Sequence, residues 1–362
     1  MARIDNIINV NSVWNSTTIL PILESVTLNV WIYSGTQGNE AAVSVELGAS
    51  NSRLLDPTYT LKGSSILNGT DKVVSFDIAP LVRDYVESEL NQSFNSDNSV
   101  WVDIQSISTI NGVQLINASE HFLALDGYEY TMNIVGNQVD DILRISNTQI
   151  LNSEGSQVSI PILTKDVSSY IFSNNGVDIG TSTSVTSTSN ESNEQVLYIE
   201  SLVDTQVDKL SITTTQGEQI VVSIQNECHT RYEHSKITFV NRLGSFQDVW
   251  FFANNKRSIN VKSDSWNRRN KVVGGGAYRP TTIRNIKSVN ERHTLNSGFY
   301  PESNNVVFEE LIQANNVWIT QGIETFPIII KNSSFNFKDS NTDKAINYTI
   351  DFEYAFNKMR SL

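Results

Sequence analysis

The single cysteine among 362 residues, Cys228, excludes an intrachain disulfide framework, so a reducing compartment is the expectation. Long apolar runs are missing as well: none reaches the roughly 18 residues that a membrane-spanning helix needs. The first residues, MARIDNIINV, lack a basic stretch followed by an apolar core, so no ordinary export signal is expected and the chain is read as made in a cytoplasm. Charge is scarce at 18%, which is too little for a disordered chain. Alanine, leucine, lysine and glutamate are too few for a helical one.

What remains is 39% apolar residues set among many Asn, Ser and Thr. Short strands joined by polar turns fit that mixture. The length exceeds one typical core and implies two or three domains. We read a mainly β, multi-domain chain with β-sandwich or immunoglobulin-like modules and a few short helices packed on the sheets. The boundaries are residues 1–135 for an N-terminal β domain with one covering helix, 136–226 for a small β-sandwich module, and 227–362 for a β-rich assembly domain.

In the first domain, Val26 to Tyr33 alternates Leu28, Val30 and Ile32 against Asn29, Trp31 and Tyr33, a strand with one core face. Further strands are expected at 42–47, 59–61, 73–78, 100–107, 113–116, 121–125 and 128–134. From Pro80 the period turns helical, with Leu81, Val82, Tyr85, Val86 and Leu90 in one stripe; this predicts about three turns laid over a sheet. In the second module, strands are expected at 142–145, 158–162, 170–172, 196–199, 209–213 and 219–224, at sandwich-like spacing. The Ser/Thr tract Gly180 to Asn190 is too apolar-poor to bury itself and is read as a mobile surface loop.

The densest stretch is Lys236 to Phe252, KITFVNRLGSFQDVWFF: two aromatic and β-branched runs around Asn241-Arg242-Leu243-Gly244-Ser245, hence a β-turn-β unit. After it come a strand at 258–262, a loop carrying Trp266, Arg268 and Arg269, and Gly274 to Gly276. A helix is expected from about Asn304 to Ala314, then strands at 316–320 and 326–331. The chain closes on INYTIDFEYAF, Ile346 to Phe356, where unbroken alternation predicts a strand with one buried face.

No set of residues carries an evident chemistry. Cys228-His229 with Glu233 and His234 lacks the second half of a zinc pattern, and three glycines without a following Lys do not form a phosphate loop. Asp140-Asp141 and Glu309-Glu310 are adjacent carboxylates, usual on turns and solvated helix faces, and no Gly-x-Ser-x-Gly elbow occurs. We therefore expect no enzyme, no cofactor and no metal. Charge is split along the chain: residues 226–300 hold 13 Lys or Arg against 5 Asp or Glu, a balance of +8, and the rest carries −21 of the net −13. That is either a solvated basic face or one that meets an acidic surface of a neighbouring copy. The net charge itself argues against nucleic acid as a partner. Arg242, Trp250, Phe252, Trp266, Arg268, Arg269 and Trp318 are the candidate assembly residues; the basic and aromatic mixture from Trp250 to Tyr278 is also where a glycan contact would lie.

FVNRLGSFQDVWFF, the later FEELI and NVWI segments and the closing INYTIDFEYAF resemble, in the same order, segments of structural proteins from tailed bacteriophages of Bacteroidetes, including crAss-like and marine flavobacterial phages. A weaker echo lies at FDIAPLVRDY, Phe76 to Tyr85. The resemblance covers about residues 236–356. It implies a non-enzymatic virion component of the tail, baseplate or an adaptor ring, located in the virion and repeated around a symmetry axis. Its implied partners are copies of itself and neighbouring virion proteins. It carries over no functional residue. The alternative reading is a host-surface or glycan-binding module.

Overall fold

The structure, a computed structural model, describes residues 2–3, 7–11, 23–34, 57–64, 66–68, 71–86, 99–110, 112–127, 142–185, 195–203, 205–228, 231–267, 282–322, 324–332, 336, 338 and 346–356. The protein is mainly β, with several antiparallel sheets and few short helices. Two compact units divide the chain. The first takes Met1–Glu227 together with Phe239–Asp248; the second takes Cys228–Thr238 and Val249–Leu362.

The N-terminal part of the first unit contains β1 (Ala2–Arg3), β2 (Ile7–Asn11), β3 (Leu23–Ser34), β4 (Tyr59–Ser64), β5 (Ile66–Asn68) and β6 (Asp71–Asp77). Helix α1 (Ala79–Arg83) and the long hairpin β7 (Ser99–Ile110) and β8 (Val113–Leu125) complete it. A five-stranded sheet runs β1-β8-β7-β3-β4 and a three-stranded one β2-β6-β5. They share a core of Val26, Leu28 and Val30 from β3, Val74 and Phe76 from β6, Val102 and Ile104 from β7, and Ile78, Ala79 and Val82 around the helix. Gly63 is small for a reason: a Cβ there would collide with Val74 Cγ1. The helix is five residues long, with Pro80 in its first turn. It stops at Arg83, short of the three turns expected, because Asp84 and Tyr85 form a turn instead; residues 87–90 and the strands expected at 42–47 and 128–134 lie outside the described residues. One continuous β8 replaces the two short strands expected at 113–116 and 121–125.

The second part is a sandwich. Strands β10 (Ser159–Leu163) and β13 (Val196–Glu200) pair as one layer. The other layer runs β12-β11-β14-β15-β9, from β9 (Gln149–Ser153), β11 (Val167–Asn174), β12 (Val177–Ser184), β14 (Lys209–Thr214) and β15 (Gln219–Glu227). Ile160, Ile162 and Ile199 from the first layer meet Val167, Phe172, Leu210, Ile212, Val222 and Ile224 from the second. Residues 142–145, expected as a strand, make only the single bridge Leu143 to Ile162. The loop reading of the Ser/Thr tract is corrected in part: Gly180 to Ser184 belong to β12, an exposed edge strand paired with β11. Backbone pairing holds it without apolar burial, and its β-branched Thr residues suit a pleated edge. The tract beyond 185 lies largely outside the described residues.

The remaining strands are β16 (Ser235–Val240), β17 (Phe246–Phe251), β18 (Lys256–Asn267), β19 (Thr282–Asn296), β20 (Val317–Gln321), β21 (Glu324–Ile330) and β22 (Thr349–Tyr354), with helix α2 (Asn305–Gln313). They form one sheet ordered β17-β16-β20-β21-β22-β19-β18. In the second unit, Phe308 of α2 is fully buried against Phe251, Tyr300 and Tyr348, ring centroids 4.7–6.1 Å apart. The closing stretch keeps its alternation as far as Phe352: Ile346, Tyr348, Ile350 and Phe352 are buried and Thr349 is exposed, but Tyr354 is half-buried and Phe356 exposed, and the regular strand occupies Thr349–Tyr354.

Candidate assembly interface

Past its root, the hairpin β18–β19 has no other strand paired to it among the described residues. Strand β19 pairs with β22 only over His293 to Asn296, whereas β18 and β19 stay in register from Lys256 opposite Thr294 out to Asn267 opposite Thr282. Ten register pairs, Ser258–Arg292 to Asn267–Thr282, thus form a ribbon two strands wide, roughly 30 Å long at the strand rise. Trp266, expected in a loop, is a strand residue here, and the expected strand at 258–262 is twelve residues long. The apolar residues Ile259, Val261 and Ile286 fall on one face of the ribbon, since alternate register pairs share a face.

Opposed residues share a face, so the register defines two of them. On one, Ile259 is exposed and Ile286 borders on exposed, beside Arg257, Glu291, Ser263 and Arg284. Arg284 Nε donates to Ser263 Oγ at 2.8 Å across that face. The other carries Lys256, Lys262, Asp264, Lys287, Arg292 and, near the far end, Trp266 at 55% exposed. The extra residue Lys287 sits at a bulge between the Lys262 and Ser263 pairs, with its ammonium 2.5 Å from Asp264. Lys256 and Lys262 have no acidic partner among the described residues.

The root is tied down by charge and stacking. Arg292 pairs with Asp351 at 2.7 Å, and Thr294 Oγ1 donates to the same carboxylate at 2.5 Å. The Glu291 carboxylate lies against Arg257 and 3.0 Å from His293 Nε2, and the buried His293 ring stacks on Phe352 with centroids 5.0 Å apart.

Arg242 lies elsewhere, in the turn between β16 and β17, which belongs to the first unit. Asn241, fully buried, organises that turn: its Oδ1 accepts from Leu243 N and Ser245 N at 3.0 and 3.1 Å, and its Nδ2 donates to Arg144 O and Gln247 Oε1 at 2.7 and 3.0 Å. Arg144, 1% exposed, donates from Nη2 to Leu243 O at 2.6 Å, and Ser146 N and Oγ donate to Gln247 Oε1. Gly244 has φ +78°, and a Cβ there would stand 2.8 Å from Leu125 Cβ and 2.9 Å from Gly127 N. Spacing in the sequence signals a turn; nothing in it signals Arg144, 97 positions before Asn241, as the residue that grips it.

The other candidates divide. Phe252 is buried, with ring contacts to Tyr300 and His234, and Trp250 is half-buried with its carbonyl accepting from Tyr300 Oη at 2.7 Å. Trp318 is half-buried on β20 opposite Pro327, on the sheet face away from Val317 and Ile319. Arg268, Arg269 and Gly274 to Gly276 lie outside the described residues, as does His229 of the Cys-His pair. Trp266 and the cations of β18 and β19 are thus brought onto one element, and Arg242, Trp250, Phe252 and Trp318 are not. Among the described residues no three of His, Cys, Asp or Glu gather as a metal site, and no helix is long and apolar enough to cross a membrane. No protein-family model matches the chain, and neither a curated protein nor a solved structure does.

Proposed function

We propose that the protein is a non-enzymatic structural component of a tailed bacteriophage virion, a multi-copy tail, baseplate or adaptor ring protein that assembles through β-rich surfaces. The sequence resemblance carries the virion part of this reading. The assembly part rests on one observation: a two-stranded ribbon with exposed faces that, among the described residues, pairs with no further strand. An isolated two-stranded ribbon is at best marginally stable in water, so an ordered one with Trp266 and Ile259 in solvent gains most by being covered. Its partners are copies of itself and neighbouring virion proteins.

Mass spectrometry and negative-stain microscopy of purified particles test the reading. The chain is expected in many copies per particle, and its absence from particles overturns the assignment. The second reading, a host-surface or glycan-binding module, is favoured by the exposed Trp266, because an indole face can stack on a sugar. Binding on a glycan array that disappears in Trp266→Ala would support it; a flat array counts against it.

A further inference from the structure

We infer that the basic, Trp266-bearing face of the ribbon docks on the acidic first unit of a second copy of this chain, around Leu202 and Val203. The inference deepens the assembly reading and rests on the protein being a repeated subunit. Charge selects the partner. Residues 1–227 hold 27 Asp or Glu and 8 Lys or Arg, net −19, and residues 228–362 hold 12 and 18, net +6. Moving Phe239–Asp248 to the first unit leaves both figures unchanged, because Arg242 and Asp248 cancel. Each copy therefore carries both halves of a complementary pair, and a polyanion such as DNA would meet a molecule of net charge −13.

Exposed apolar and acidic residues adjoin in that unit at Tyr85 with Asp84, at Val177 with Asp178 and at Leu202 and Val203 with Glu200, and only the last of these offers two adjacent large apolar side chains. Leu202 and Val203, 71% and 63% exposed, follow β13. Glu200 precedes them, its carboxylate accepting from Gln157 Nε2 at 3.1 Å. Glu154 is held by Gln206 from the same loop at 2.5 Å. An aromatic anchor on the ribbon face that also carries Lys262 and Lys287 thus meets an apolar spot beside carboxylates on the acceptor, the arrangement of a buried anchor within a polar rim.

Size sets the strength. One ribbon face, about 30 Å by 10 Å, offers roughly 300 Å², well short of the ~800 Å² that each partner gives a standard interface. A single contact is therefore transient, and the assembly gains by repetition: a heterologous contact closes into a ring or runs on as a filament.

Mixing two single-cysteine forms tests the contact, both in the full chain with Cys228→Ser and with Trp266, Leu202 and Val203 kept: one carries Asn285→Cys, on the Trp266 face of the ribbon, the other Thr205→Cys, in the Leu202–Val203 loop. Under mild oxidation the mixture is expected to yield a disulfide-linked heterodimer well above the homodimers of either form. Lys262→Glu should cut its yield roughly tenfold, and combining Lys262→Glu on one form with Glu200→Lys on the other should restore it. Unchanged thermal unfolding midpoints show that the variants fold. No heterodimer, or a chain bearing both cysteines that closes only within itself at every concentration, overturns the inference. So does gel-shift of a short DNA duplex that Lys262→Glu abolishes while no heterodimer forms. If particles contain the chain in many copies but the cross-link fails, the ribbon contact is wrong and the virion reading stands. A cross-link formed by a chain that particles lack leaves the contact standing and removes the virion reading.

Discussion

Asn241 shows how much one side chain can fix. Its amide accepts two backbone N–H groups of its own turn and donates to Arg144 O and Gln247 Oε1, all away from water. Asn241→Ala leaves those partners buried and unsatisfied, so we expect a loss of roughly 3 kcal/mol or more. A lowered urea midpoint with an unchanged slope is the measurement; a shift under ~1 kcal/mol would mean that water replaces the amide at no cost. Gly244 makes an independent case, because its φ of +78° and the backbone of Gly127, 2.9 Å from the position a methyl would take, act together. Gly244→Ala should cost about 3 kcal/mol, whereas Gly112→Ala, with φ +75° but open space around it, should cost only about 1 kcal/mol from strain. Equal losses in the two variants would remove the steric part of the argument.

At the scale of elements, burial separates framework from ribbon. Phe308 joins α2 to Phe251, Tyr300 and Tyr348, so Phe308→Ala should cost about 3–5 kcal/mol. Ribbon residues 258–267 and 282–292 should show far weaker amide protection in hydrogen exchange than β20–β22, because they are paired to each other alone among the described strands. Protection equal to that of β20–β22 in the dilute, unassembled chain would contradict this. The same contrast explains what could be read from sequence. Strands with one face in a core, such as β3 and β22, announce themselves by alternation, since Leu28, Val30 and Phe352 have to point inward. The edge strand β12 has solvent on both faces, so Thr183 carries no periodic trace of strand, and in β18 the alternation of Ile259 and Val261 marks only 258–262, while the polar run Ser263 to Ser265 hides the rest of the strand. The turn at Asn241 was legible as a turn, but its grip by Arg144 was not, because short-range pattern holds no information about a partner 97 residues away.

For the molecule as a whole, the decisive quantity is the separation of charge between residues 1–227 and 228–362, −19 against +6. Like-signed crowding on the first unit repels its counterpart in another copy, so two copies meeting through their first units is disfavoured; pairing the basic ribbon with that unit is favoured. Attraction of this kind acts over about 10 Å in 0.1 M salt and about 3 Å in 1 M salt. Self-association, followed by sedimentation velocity at high protein concentration, should therefore fall steeply as salt rises through that range. Arg268 and Arg269 extend the basic stretch of the sequence, and replacing both with Glu should mimic high salt in the same sedimentation experiment. Association that strengthens with salt would point instead to the Ile259 and Ile286 face of the ribbon as the main contact, because apolar burial is unscreened and is reinforced by excluded salts.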